Sequence, residues 1–144
     1  MPVEIAAVPV VRDHHGLAFS ARNRFLAPRA RNLAPRLCQA LKNAKRRLGE
    51  GERDFAALQE AGYRELARAG FMAEYFSIRQ AADLLPLRFE GRDVVMLAAA
   101  RLGSTRLIDN IVSLMSYGWL CCGTLLVAAI AWGIVWLARR KPAG

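Results

Sequence analysis

Phe71–Leu102, which runs FMAEYFSIRQ, AADLLPLRFEGR and DVVMLAAARL, decides the fold. Its two ends are rich in aromatic, aliphatic and β-branched side chains, and its middle holds Leu84-Leu85-Pro86-Leu87. Two strands, Phe71–Arg79 and Asp93–Leu102, joined through that loop, are expected. Upstream, Leu33, Leu37, Leu41, Ala44 and Leu48 recur at three- and four-residue steps, so a helix begins near Pro28 and stops at Gly49. A second helix is predicted from Glu52 to Ala69, with Phe55, Leu58 and Leu66 inward and Gly70 as its C-terminal cap. Val3–Val11 reads as a buried strand, and Arg12–Gly16 as a turn that leaves His14 and His15 exposed. The expectation for residues 1–111 is a small α+β unit, an antiparallel sheet with two helices.

Downstream the solvent changes. Charged residues make up 23% of the 144, yet Asn110–Ala138 contains none. From Leu114 to Leu137 the chain is uncharged and mostly apolar; as a helix this stretch would rise ~36 Å, enough to cross a hydrocarbon core with some tilt. A single transmembrane helix over residues 112–138 and a basic tail over 139–144 are therefore expected. Tyr117 and Trp119 at one end, with Trp132 and Trp136 at the other, suit the two interfacial belts, and Arg139, Arg140 and Lys141 stop the span. A buried core helix competes with this reading, but some 110 residues cannot cover so apolar a helix on all sides. Cys121, Ala129 and Gly133, flanked by Gly118 and Cys122, form a small-residue face for helix packing; equally, such residues are common in membrane helices. Basic residues balance across the span, and no secretory signal opens the chain, so the globular part is assigned to the cytoplasmic side of a bacterial inner membrane.

The net charge is +9, and ten of the basic residues lie between Arg12 and Arg47 against one acid, Asp13. Anionic lipid headgroups or an acidic protein face suit such a stretch, and so does a merely solvated surface. Nucleic acid is disfavoured because no aromatic stacking platform or recognition motif accompanies the charge. Three cysteines supply neither a disulfide framework nor a metal cluster. No Gly-rich phosphate loop and no Ser/His/Asp or Cys/His grouping is present either. The composition alone points to no cofactor.

Three stretches nevertheless carry a resemblance: VEIAAVPVVRDHHGLAFSARNRFL at 3–26, EYFSIRQAADLLPL at 74–87 and VVMLAAARLGSTRLIDNI at 94–111. In this order they resemble the C-terminal domain of the pantothenate synthetase (pantoate–β-alanine ligase) family. The resemblance implies a lid over a Rossmann-like N-terminal domain, in an enzyme that joins pantoate to β-alanine through a pantoyl-adenylate, consuming ATP. The family's Met-Ser-Ser-Arg-Asn type of signature stands here as Phe19-Ser20-Ala21-Arg22-Asn23. Ser20 and Arg22 are thus implied as a vestigial ATP phosphate site, with one hydroxyl lost at Ala21. The family's HxGH half is not in this sequence. The expectation is a non-catalytic, single-pass accessory or assembly subunit of a respiratory or photosynthetic complex, which it would join through the transmembrane helix. The alternative is a membrane-tethered, ATP-binding half of a split pantothenate synthetase.

Overall fold

The computed structural model describes residues 9–87 and 93–114. A one-turn 3-10 helix, Ala21–Phe25, is followed by α1 (Pro28–Leu33), α2 (Arg36–Gly49) and α3 (Phe55–Arg68). Three strands complete the unit: β1 (Met72–Gln80), β2 (Val94–Leu102) and β3 (Thr105–Ser113). They form an antiparallel sheet in the order β1-β2-β3, and α2 and α3 cover one of its faces. The α+β class, the antiparallel sheet and the two longer helices match the sequence expectation.

Each boundary has a local cause. The single helix expected from Pro28 to Gly49 is divided at Ala34-Pro35, because Pro35 has no N–H to continue the helical ladder. Helix α3 starts after Asp54, whose carboxylate accepts from the Ala57 amide at 2.9 Å. It ends where Phe71 N–H bonds the Leu66 carbonyl and Gly70 N–H bonds that of Ala67, with Gly70 at φ 88°. The β2–β3 hairpin turns at Gly103, φ 62°, inside the Leu102–Thr105 pair.

The core lies between the helices and one face of the sheet. Leu37, Leu41 and Leu48 of α2 and Leu58 and Leu66 of α3 meet Phe76, Ile78, Met96 and Ala98, all buried. Helix α3 packs tightly against β1 at Gly62, where a Cβ would stand 2.5 Å from the Phe76 ring. Edge strand β1 is also tied to α3 by the Ile78 amide, which donates to Gln59 at 2.9 Å. The opposite face of the sheet is open among the described residues. Tyr75, Ile108 and Val112 are exposed there around the buried Ala99 and Val95.

Three expectations need correction. Pro9–Val11 are not in a strand, and Val11 is 70% exposed; the rest of the strand expected over Val3–Val11 lies outside the described residues. Thr105–Ser113, for which no strand was expected, is β3. Val112 and Ser113 therefore do not open a membrane helix; they pair with Val95 and Val94. No helix among the described residues is long and apolar enough to cross a membrane. The remainder of the span expected over 112–138 lies outside the described residues, with its packing face (Gly118, Cys121, Cys122, Ala129, Gly133), its belts (Tyr117, Trp119, Trp132, Trp136) and its tail (Arg139, Arg140, Lys141).

Gly62→Ala tests the close approach of α3 to the sheet. Alanine improves helix propensity by up to ~1 kcal/mol, but the steric conflict with Phe76 dominates, at a cost of about 1–3 kcal/mol. Urea unfolding should show a net loss in the single variant and a much smaller one in a Phe76→Leu background.

Candidate functional site

The segment from Arg12 to Asn23 carries the phosphate-type motif, and its placement starts with a charge. The Arg12 guanidinium grips Asp109 on β3 with a fork of hydrogen bonds, Nη1 to Oδ2 at 2.6 Å and Nη2 to Oδ1 at 2.8 Å. It also donates to the carbonyls of Gly16 and Asn110, each at 3.1 Å. The Asp109 side chain is 3% exposed and that of Arg12 19%. The bonds to Asp109 hold the Arg12 guanidinium firmly in its protonated form. Between them the chain turns at Asp13, whose carboxylate accepts from the amides of His15 and Leu17. Gly16, at φ 91°, closes the turn against α2, where a Cβ would lie 3.8 Å from Cys38 Sγ.

From this anchor the chain passes along β3. Ser20 is the N-cap of the 3-10 helix, its Oγ accepting from the Arg22 amide at 3.2 Å. Asn23 donates from Nδ2 to the Ala18 carbonyl at 2.9 Å; its Oδ1 is buried with no hydrogen-bond partner. A cavity of about 320 Å³ opens between this segment and β3, lined among others by Ser20, Arg22, Asn23, Tyr75, Arg106 and Asn110. A second, of about 380 Å³, is lined by Arg22, Phe25, Ser104, Thr105 and Arg106. Both sequence-implied residues, Ser20 and Arg22, therefore reach the same cavity, and Arg22 and Arg106 line both. The arrangement offers two guanidinium groups and a hydroxyl, a donor set suited to a polyphosphate or carboxylate.

Other groups are placed away from chemistry. His14 and His15 are exposed in the turn, as expected. The Cys38 thiol is buried beside Arg12, and burial pushes it toward the protonated, unreactive form. Among the described residues no group of His, Cys, Asp and Glu has the makings of a metal site. The basic stretch is not one free surface: Arg12 is internal, Arg46 and Arg47 pair with Glu50 and Glu52, and Lys45 donates to the Val112 carbonyl. Sequence reasoning did not find Arg12, Asp109 or Arg106. The one local signal was a pair of charges, Arg101 and Arg106, placed symmetrically about Gly103-Ser104.

Removing the anchor should release the segment. Asp109→Asn leaves Arg12 without its carboxylate, and because Arg12 keeps some solvent access the loss should be about 3 kcal/mol, the low end for a broken buried pair. Urea denaturation measures it; a loss under ~1 kcal/mol would make the pair an ordinary surface bridge.

Residues 1–112 match the family model for pantoate-beta-alanine ligase. The pantothenate synthetase of Pseudomonas putida GB-1 is 46% identical over 111 residues, 77% of this chain and 39% of that protein. That of Nitrosococcus oceani is 46% identical over 110 residues, 76% and 38%. Crystalline pantothenate synthetase from Thermus thermophilus superimposes with a TM-score of 0.67 at 37% identity, covering 76% of this chain and 40% of that one. The chain thus spans about two fifths of the length of these relatives. These findings overturn the expectation of a non-catalytic accessory subunit of a respiratory or photosynthetic complex, since every one of these relatives is named for an enzyme. The inner-membrane localisation falls with it: neither the relatives' names nor any described helix supports a membrane protein. A match over residues 1–112, with relatives at 46% identity, places this chain in the pantoate-beta-alanine ligase family.

Proposed function

We propose that this chain supplies the C-terminal, lid-like domain of a pantothenate synthetase and holds the ATP polyphosphate for the part of the enzyme that it does not span. The observation that carries this reading is the placement of Ser20 and Arg22 on one cavity, with the motif segment locked to β3 by Arg12 and Asp109. In the reaction the family catalyses, a pantoate carboxylate oxygen attacks the α-phosphorus of ATP and pyrophosphate leaves. The β-alanine amine then attacks the acyl carbon of the pantoyl-adenylate, and AMP leaves. Charge builds on the departing pyrophosphate in the first step, and a guanidinium fixed beforehand stabilises it without reorganisation. Arg22 is the group placed for that role, with the Ser20 hydroxyl as a neutral donor. Ala21, standing where the family signature has a hydroxyl, weakens the grip by one hydrogen bond.

The open sheet face fits the same reading. Tyr75 and Ile108, which line the cavity, and Val112 are exposed apolar side chains on this face, and a lid must present such a surface to the domain it closes upon. The chemistry then takes place between the two, where water is excluded and the phosphate contacts gain strength.

Reconstitution is the test. This chain, combined with the portion of the Pseudomonas putida GB-1 synthetase that it does not match, should form pantothenate from pantoate, β-alanine and ATP. Either part alone should not. In the combined enzyme Arg22→Ala should lower kcat/KM for ATP by about tenfold or more, the worth of one charge-assisted hydrogen bond. Ala21→Ser should raise it. No pantothenate from the pair, under conditions where the intact synthetase is active, would overturn the assignment.

A further inference from the structure

Arg101 and Arg106 stand directly opposite each other on β2 and β3, an arrangement that costs free energy unless an acid relieves it. Glu74 does so from β1, accepting from Arg101 Nε at 3.2 Å and from Arg106 Nε at 2.7 Å. Regular pairing would not put it there. The register of β1 against β2 shifts between Ala73 and Tyr75, so Glu74 is the extra residue of a β-bulge. Such a bulge re-aims a side chain and is frequent beside functional sites. The Arg106 bond holds the Glu74 carboxyl below the usual glutamate range, so the clamp is intact wherever ordinary carboxylates are ionised.

The two arginines differ in what lies beyond the clamp. Arg106, like Arg22, lines both cavities, whereas Arg101 lines neither. The Glu74 bond uses Nε of Arg106, and a guanidinium has four more N–H donors on its terminal nitrogens. We propose that Arg106 is the second cationic contact for the ATP polyphosphate, on the same cavities as Arg22, and that Glu74 is its positioning residue. This rests on the polyphosphate reading of the Ser20–Arg22 site and adds to it a residue from a different element. The two guanidinium groups approach from the 3-10 helix and from the β2–β3 hairpin, so they hold a polyphosphate from two sides. That second side offsets the hydroxyl missing at Ala21.

Tripolyphosphate is the probe, added at low salt to the 144-residue chain and followed through backbone amide shifts by NMR. Arg106→Gln should weaken binding about tenfold, as should Arg22→Ala. Arg106→Lys should rescue little, because an ammonium cannot bond Glu74 and bridge to a phosphate in the same fork. Arg101→Gln should change affinity by less than about twofold. Glu74→Gln separates positioning from simple neutralisation: it removes a negative charge, so a mere counter-charge would give tighter binding, whereas a lost clamp gives weaker binding. Spectra of each variant report whether the fold is kept. Loss with Arg22→Ala but not with Arg106→Gln would overturn this inference and leave the Ser20–Arg22 reading intact. Binding unaffected by either change, or no binding at all, would overturn both.

Discussion

The site depends on one ion pair, the fork between Arg12 and Asp109. Asp109 occupies a β3 position on the helix-facing side, paired with Ala98 opposite Phe76, where an aliphatic side chain is the ordinary choice. Burying a carboxylate there is expensive unless its partner arrives with matched geometry; Arg12 donates two bonds to it and two more to backbone carbonyls, and the Asn110 amide donates a third to the carboxylate at 2.8 Å. Among the described residues, the segment between Val10 and Phe25 has few other buried contacts. Leu17 is its one buried aliphatic side chain, and the hydrophobic area it contributes is small. With the fork closed, the Asp13–Gly16 turn is pressed onto α2, and Ser20 and Arg22 are delivered to the edge of β3. The electrostatic anchor and the cavity-lining residues thus share one short piece of chain.

What was legible in the sequence follows from what is local. Strands β1 and β2, helix α3 and the end of α2 at Gly49 announce themselves through periodicity and caps, within a few residues of their observed bounds. Pro35 marked a break that a run of leucines at helical spacing concealed. Strand β3 was missed because Arg106, Asp109 and Asn110 interrupt its apolar pattern. Its last residues, Val112 and Ser113, belong equally to the uncharged run that begins at Asn110. Hydropathy alone cannot tell the end of a buried strand from the start of an apolar helix. Ser20 and Arg22, which line one cavity, are candidates legible in the sequence because a contiguous motif carries them. The Arg12–Asp109 fork joins residues 97 positions apart, and no pattern in one sequence announces it. The reach of Glu74 to Arg101 and Arg106 is illegible for a different reason: a bulge breaks the two-residue period by which strand faces are read.

The functional correction has a physical lesson of its own. A sequence searched for a complete catalytic set yields none here, yet an incomplete set is not the absence of an enzymatic role. In an adenylate-forming reaction the charge on the leaving pyrophosphate and the activation of the attacking group are separate tasks, and they need not reside on one domain. Under the proposed reading, a domain with two arginines, a hydroxyl and an open apolar face serves the first task, and a partial inventory is compatible with a division of labour between domains.

The most direct measurement of the central claim, that the anchored segment and the β2–β3 hairpin together cradle polyphosphate, is amide hydrogen exchange with and without ATP. ATP should slow exchange across residues 17–26 and 104–110, with the effect fading as salt is raised. Protection confined to α2 and α3, or none at saturating ATP, would contradict the account.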